Sequence, residues 1–575
     1  LPTYVEHLVR MPLPGAEPAL LTLNALKVRL RSIAKFLWIP WTLQLAFGLV
    51  WLEDPVSSLL GGMLLAVPFV GLIGLALTHL ESRWTRTSLL AVLSVTNYAQ
   101  YTFASFYGRF IRSGELALMA SNSATELARS VRLYFSPMAL LASLAIAIAY
   151  AFLPMRSHAT VRRTRWATFC VLTAIAWGIG TDGFADRLPT SSPEMAFVQA
   201  QWRAASSRMH RWLHGGWVRN AAPRPDHAPA PFDIIYLIGE SLRADRFPGG
   251  HYARHVTPYL DSLTLPHVTY ANVTSHGDCT GRSVPYLMVS PVMPFFRTLY
   301  TQPTLFDYAK GAGFRTSFIY SNENEWLEFR NGSIDNLQQH VEFTSGMEEW
   351  NYRSDHSMLE SIGNSANQPG RQFLVIETYT SHWPYGERYQ TCTGCRIYRP
   401  DNVGRPVPFS SAYRTQIVNS YDNALVYFDQ FVSKLVTSLK KPTLIVLTSD
   451  HAESLGERGM WGHCSGQPEQ FSVPLMVIAT DKSVADAAGF AALAENVDTP
   501  VSHANIFPTL LEYLGYSPGL TGYRYSSNLL HVNAGAAKDR QVLVSEIGSG
   551  IEPVEFSHVD AHGAITSRQS IAPSP

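Results

Sequence analysis

Five apolar segments crowd into the first third of the chain, at 36–52, 56–77, 89–106, 138–153 and 166–179. A bilayer crossing takes about 20 residues, with roughly 17–25 usual. Lipid offers backbone groups no partners, so each crossing has to be a helix. The 56–77 segment fits best, whereas 138–153 and 166–179 are short and are expected to extend into their flanks. Core helices of a soluble domain share this composition, but five in succession with no amphipathic helix between them do not suit such a core. Charged residues make up only 16% of the 575, against about a quarter in ordinary soluble domains. The net charge is zero, which leaves no global field to draw nucleic acid. No cleavable signal peptide is expected before the first segment.

Basic residues set the orientation. Lys27, Arg29, Arg31 and Lys35 precede the first segment, Arg83 and Arg86 separate the second and third, and Arg156, Arg162, Arg163 and Arg165 separate the fourth and fifth. These loops alternate onto one side, the cytoplasm. Glu53 and Asp54 occupy the first outer loop. The loop 107–137 breaks the pattern with Arg109, Arg112, Arg129 and Arg132, and reads as an amphipathic segment lying on the membrane near lipid phosphates. The expected organisation is a five-helix transmembrane domain at 1–185, an interfacial helix and linker at 186–231, and a soluble domain at 232–575 outside the cytoplasm. Trp202, Trp212 and Trp217 mark the interfacial helix, and four prolines in 221–231 mark the linker.

Past the linker, apolar runs of strand length at 232–238, 267–273, 314–320, 373–378, 444–447 and 475–478 alternate with helix-like stretches such as 304–312, 413–439 and 505–514. This alternation predicts a mostly parallel sheet covered by helices on both faces. Ligand sites in such folds lie beyond the carboxyl ends of the strands. Glu240, the 275–280 segment, the 378–382 segment and the pair Asp450-His451 all follow predicted strand ends. Adjacent residues cannot both face one side of a strand, but at its end Asp450 and His451 can converge. A carboxylate and an imidazole there suit a borderline divalent cation such as zinc; a turn Asp capping the next helix is the plainer alternative. Thr280, opening a predicted helix, is either a nucleophile facing an anion or an ordinary cap.

Three ordered motifs go further: Gly239-Glu240-Ser241-x-Arg243-Ala244-Asp245-Arg246-Phe247, Thr280-x-x-Ser283-Val284-Pro285-x-x-Met288, and Ser449-Asp450-His451-x-Glu453-Ser454-Leu455-Gly456-Glu457. Together with Asn419-x-Tyr421-Asp422-Asn423-Ala424 and the five apolar segments, they resemble the membrane-bound phosphoethanolamine transferases of lipid A and lipopolysaccharide core, within the alkaline-phosphatase/sulfatase superfamily. The resemblance implies an α/β/α sandwich at 232–575 behind the membrane helices, in a multi-pass protein of a bacterial inner membrane with its catalytic domain in the periplasm. It implies Thr280 as nucleophile, one Zn2+ held by Glu240, Thr280, Asp450 and His451, and His382 and His463 on the substrate phosphate or a second zinc. It also implies a phosphatidylethanolamine donor, a lipopolysaccharide or periplasmic glycan acceptor, a phospho-threonine intermediate, and a monomer. Asn122 and Glu126 match the family's donor-binding loop, with altered spacing.

The chain also departs from the family. Its nucleophile loop reads His276-Gly277-Asp278-Cys279-Thr280, where the family has Cys-Gly-Thr-x-Thr, and Asp278 is expected to tune the site or bind an acceptor. Tyr286 stands where many relatives staple this loop with a cysteine. Of five cysteines, Cys392 and Cys395 have spacing for a disulfide, a metal or a redox pair. Cys279 and Cys464 each neighbour a proposed site residue, which leaves a bond between them open, and Cys170 reads as packing. Three other functions compete. Phosphoglycerol transferases of the lipoteichoic acid synthase type lack the Ser-Val-Pro-x-x-Met continuation. Sulfatases need a Cys/Ser-x-Pro-x-Arg motif that Cys279-Thr280-Gly281-Arg282 does not supply. A non-catalytic membrane scaffold would have no need of four ligand-type residues in order.

Overall fold

The structure is a computed structural model that describes residues 39–571 except 53–55, 81, 108–109, 112–134, 154–160, 182–191, 214–217, 290–298, 300, 322–332, 341–354, 404–406, 408, 522–526, 533–539, 544–553 and 560–564. The chain divides into two compact units, with a boundary at Arg203/Ala204.

In the first unit all five apolar segments are helical: Ile39–Trp51, Val56–His79, Arg83–Tyr107, Pro137–Ala151 and Val161–Gly180. Within them Leu59–His79 is long and apolar enough to cross a membrane, and Ile39–Trp51, Pro137–Ala151 and Arg165–Gly180 are shorter apolar helices. The helices pair antiparallel. Trp177 Nε1 on the fifth donates to the Leu65 carbonyl on the second at 2.8 Å. The Arg86 guanidinium donates to the carbonyls of Ala151 and Leu153 at 2.9 and 2.8 Å, satisfying the free end of Pro137–Ala151 with a cation where the helix dipole is negative. Arg86 and Leu153 therefore share one end of this bundle, as the reading of the basic loops requires. The predicted loop 107–137, with Asn122 and Glu126, falls almost wholly outside the described residues. A further helix, Pro193–Leu213, covers most of the predicted interfacial segment.

The strands of the second unit are β1 (Asp233–Gly239), β2 (His267–Thr269), β3 (Val273–Thr274), β4 (Arg315–Tyr320), β5 (Asn336–Gln339), β6 (Gln372–Glu377), β7 (Thr443–Ser449), β8 (Ser454–Leu455), β9 (Trp461–Gly462), β10 (Leu475–Ala479), β11 (Val501–Ser502), β12 (Arg540–Leu543), β13 (Val554–Val559) and β14 (Ile565–Ile571). Seven form one sheet in the order β2-β10-β7-β1-β6-β4-β5. The pairs from β7 across to β5 are parallel, and β10 runs antiparallel to both β7 and β2. β1 and β7 are buried along their whole length, which explains their unbroken apolar runs. Ile234, Tyr236 and Ile238 pack with Val284, Leu287, Leu305, Phe306, Ile506 and Leu510, from the helices Thr280–Val289, Leu305–Gly311 and His503–Tyr513. Alternation sends Ile235 and Leu237, equally buried, to the opposite face. The predicted strand at 267–273 is in fact β2 and β3, separated where Tyr270 and Ala271 bond instead to Leu475 and Val497.

Register decides where the polar residues emerge. Gly239 pairs with Ser449, and Ile238 with both Thr448 and Glu377, so Glu240, Asp450 and Thr378 leave the sheet side by side. A Cβ on Gly239 would meet Leu242 Cδ1 at 2.1 Å, so this strand end turns tightly enough to need glycine. From the long helix Arg414–Ser438, the Tyr421 hydroxyl donates to the Ser241 carbonyl at 2.7 Å and accepts from the Arg243 amide at 3.0 Å. Replacing Tyr421 by Phe strands two buried backbone groups, at a cost of about 1–3 kcal/mol each. Thermal denaturation of the Tyr421→Phe protein is therefore expected to show a midpoint lowered by several degrees; an unchanged midpoint would contradict this.

Candidate metal centre and nucleophile

Glu240, Asp450 and His451 are each no more than 2% exposed, and ligand-capable atoms of the three lie within 4.8 Å of one another. His451 Nε2 is 3.3 Å from Glu240 Oε1 and 3.2 Å from Asp450 Oδ2. Its Nδ1 sits 3.0 Å from the Ala452 carbonyl, so Nδ1 carries the hydrogen and Nε2 presents a lone pair to the carboxylates, as a metal-binding histidine does. Asp450 Oδ1 takes the backbone amides of Ser241 and His451 at 3.0 and 2.7 Å. Its Oδ2 is buried with no hydrogen-bond partner.

Two buried carboxylates against one imidazole require a cation. Without a metal, that cation is a proton on the ring. Burial opposes it, but the Asp450 and Glu240 charges win and push His451 up to about 10. Burial alone would raise Glu240; the His451 ring more than reverses this and holds it below the ordinary carboxylate range. Asp450 moves up, through burial and the charge of Glu240. The orphaned Asp450 oxygen, the tautomer of His451 and the O/N donor set together fit a zinc ion.

Thr280 is the first residue of Thr280–Val289. Its Oγ1 is 3.1 Å from His451 Nε2 and 3.4 Å from Glu240 Oε2, so the structure brings together all four residues assigned to the metal. A helix N-terminus also favours an anion at this point.

His463 and His382 complete the opening. The His463 ring centroid is 4.5 Å from that of His451 and 5.7 Å from that of His382. His463 Nδ1 lies 3.0 Å from Glu453 Oε2, and His451, Glu453 and His463 form a second group with metal-ligating geometry. Burial would raise Glu453, but His463 and the Tyr385 hydroxyl, donating at 2.7 Å, hold it low. His382 Nδ1 lies 2.6 Å from the Trp383 carbonyl, and its ring stacks on Tyr379 at 4.4 Å. Burial, with help from Arg388, lowers His382 to about 4 despite the pull of Glu240. His382 is therefore neutral near pH 7 and serves as acceptor or ligand rather than as a standing acid.

Asp278 is corrected. It is fully buried and is spent on structure: Oδ1 takes Arg282 at 2.6 Å, Oδ2 takes the Gly466 amide at 2.6 Å, and its carbonyl takes the Cys464 amide at 2.8 Å. Cys279 and Cys464 are disulfide-bonded, as are Cys392 and Cys395, while Cys170 is free and buried. The first bridge joins the residue before Thr280 to the residue after His463. Behind the helix Thr280–Val289, His503 Nδ1 accepts from the His276 amide at 3.1 Å and faces Ser283 Oγ at 3.3 Å. Burial lowers His276 to about 3 and His503 far below its usual value, so both are neutral supports. Glu453 was missed as a site residue although its motif contains it, since only the fold shows it reaching His463.

Residues 233–516, which include every residue of this site, match the sequence pattern of the family described as Sulfatase. The chain is 27% identical over 323 residues to a Kdo(2)-lipid A phosphoethanolamine 7''-transferase of Escherichia coli (strain K12), covering 52% of this chain and 54% of that one. It thus spans about half the length of that relative. It is 22% identical over 537 residues to the phosphatidylethanolamine transferase Mcr-2 of Escherichia coli, covering 85% and 92%. Among solved structures, the integral membrane protein lipooligosaccharide phosphoethanolamine transferase A from Neisseria meningitidis matches with a TM-score of 0.61 at 20% identity, over 85% of this chain and 97% of that one. That likeness establishes the fold.

The site's charge balance has a measurable consequence. Because His451 holds a proton up to about pH 10 in the metal-free site, zinc has to expel it. Chelator competition is expected to show apparent zinc affinity rising at least tenfold per pH unit between about pH 6 and 8, more steeply where Asp450 is also protonated. A flat profile would mean that zinc does not take the place of this proton.

Proposed function

We propose that this protein transfers phosphoethanolamine from phosphatidylethanolamine to a lipopolysaccharide or another periplasmic glycan, by way of a covalent phospho-Thr280. The observation that carries the reading is the Thr280 hydroxyl within 3.4 Å of both His451 and Glu240 at a helix N-terminus. Zinc held by Glu240, Asp450, His451 and the Thr280 oxygen would supply Lewis acidity, favouring the alkoxide and drawing charge from the phosphoryl oxygens.

Thr280 Oγ attacks phosphorus and gives up its proton as the bond to the glycerol oxygen breaks. That oxygen leaves protonated, as diacylglycerol. His463, its Nδ1 held 3.0 Å from Glu453 Oε2, is the group placed to deliver the proton. An acceptor hydroxyl then attacks the phospho-threonine, releasing Thr280. Neutral His382, with Nδ1 committed to the Trp383 carbonyl, keeps Nε2 free to take the acceptor's proton. Two half-reactions through one enzyme-bound group give ping-pong kinetics.

On this reading the five N-terminal helices all cross a bacterial inner membrane, and the sulfatase-family domain works in the periplasm, where its two disulfides suit an oxidising compartment. Asn122 and Glu126 retain their proposed donor-binding roles. Mass spectrometry of the purified protein after incubation with phosphatidylethanolamine is expected to find a phosphoethanolamine adduct on Thr280. Thr280→Ala should abolish both adduct and transfer, a loss of about 1000-fold or more. A phosphoglycerol adduct from phosphatidylglycerol, or near-normal transfer by Thr280→Ala, would overturn the reading.

A further inference from the structure

Glu194, the second residue of Pro193–Leu213, is only 3% exposed and lies within the N-terminal unit. Its carboxylate accepts from Gln44 Nε2 at 3.0 and 2.8 Å, from Asn97 Nδ2 at 3.0 Å and from Ser192 Oγ at 3.0 Å. All three donors are neutral, and among the described residues no Lys, Arg or His pairs with Glu194. Both amides turn their NH2 groups here, and the Gln44 amide also pairs with the buried Tyr150 hydroxyl. Gln44 Oε1 and Asn97 Oδ1 are left fully buried with no partner, as is the Tyr101 hydroxyl. Turning either amide over would aim its oxygen at the carboxylate, so the assignment is fixed by charge. An amide oxygen sits beside its own nitrogen, which places both orphan acceptors next to Glu194.

The cluster therefore sets one carboxylate and two unpartnered amide acceptors against a single unpartnered donor, the Tyr101 hydroxyl. A primary ammonium has the complementary inventory, one positive charge and three donors with no acceptor. Aromatic rings adjoin it. Tyr101, one turn beyond Asn97, packs on Phe47 and Trp51 at centroid distances of 5.7 and 5.1 Å, and those two follow Gln44 by one and two turns of their own helix. Ring faces add attraction for a cation. A quaternary ammonium offers no N–H donor to the orphan oxygens, and a divalent metal would call for a second carboxylate. Ionisable groups inside a membrane unit also mark functional positions more often than packing.

We propose that Glu194, Gln44 and Asn97 form a seat for the primary ammonium of an aminophospholipid head group. The choice of phosphatidylethanolamine as that lipid rests on the functional reading above.

The test uses the full-length Thr280→Ala protein, so that no lipid is turned over, and measures lipid retention by native mass spectrometry. Retention is expected to fall from phosphatidylethanolamine through its N,N-dimethyl form to phosphatidylcholine. Adding Glu194→Gln should weaken phosphatidylethanolamine retention about tenfold. Equal retention of phosphatidylethanolamine and phosphatidylcholine would overturn the proposal, as would undiminished retention with Glu194→Gln, which would mean a carboxyl held neutral for packing. The lipid series needs no change at Glu194, so it decides the matter even if that variant fails to fold. Free ethanolamine displacing the lipid at equal concentration would overturn the lipid assignment in favour of a soluble amine. The Thr280 adduct on the wild-type protein is read separately. A protein that forms it but does not distinguish the lipids loses only this inference, and one that distinguishes them but accepts phosphoglycerol loses only the transfer reading.

Discussion

Two carboxylates and an imidazole, withdrawn from water at the ends of adjoining parallel strands, are the constraint from which the rest of the second unit follows. Like charges in a low-dielectric interior repel strongly, so Glu240 and Asp450 are tolerable together only around a cation. The β1–β7 register brings them there, because Gly239 opposite Ser449 makes the next residue of each strand the one that leaves the sheet. Ser449 helps hold the junction: its hydroxyl takes the Leu242 amide at 2.7 Å and donates to the Gly239 carbonyl at 3.0 Å. A core built to hold such a charge cluster gains little stability from it. Its persistence is better explained by chemistry.

Thr280, the proposed nucleophile, arrives from a different part of the chain and has to be pinned independently. Asp278, Arg282 and the Gly466 amide form one buried clamp, and the Cys279–Cys464 disulfide forms another. Both tie the turn before Thr280 to the segment after His463, so the Thr280 oxygen and the His463 ring are positioned by common bonds. His276 and His503, neutral and buried, back the same helix. The loop carrying His382 is anchored separately by Asp355, which takes the amides of Tyr379 and Thr380, each at 2.9 Å. Several hydrogen bonds per functional group is what preorganisation looks like in a site whose work is placement.

Much of this was legible from the sequence because strand ends in an open α/β sheet collect ligands. The apolar runs before Glu240 and Asp450 located both residues, and the motif order supplied Thr280. What stayed hidden depends on contacts between distant segments. Asp278 looked like a site charge, since nothing in its neighbours showed that Gly466 would meet it. Glu453 looked like one more motif residue until the fold set it against His463. β5 escaped because Asn-Leu-Gln-Gln at Asn336–Gln339 has the polarity of an edge strand without an apolar alternation to mark it. Glu194 lay in a stretch read by its tryptophans, and only packing against Gln44 and Asn97 distinguishes a buried carboxylate from an exposed helix-start acid.

The chemistry of this site turns on where a metal binds. Anomalous diffraction at the zinc edge, on crystals of the zinc-loaded protein, tests this most directly. The predicted result is a peak bounded by Glu240, Asp450 and His451 at about 2.0–2.2 Å from their ligand atoms, with Thr280 Oγ1 as the neighbouring oxygen. A peak confined to other residues, or none at saturating zinc, would contradict the account at its root.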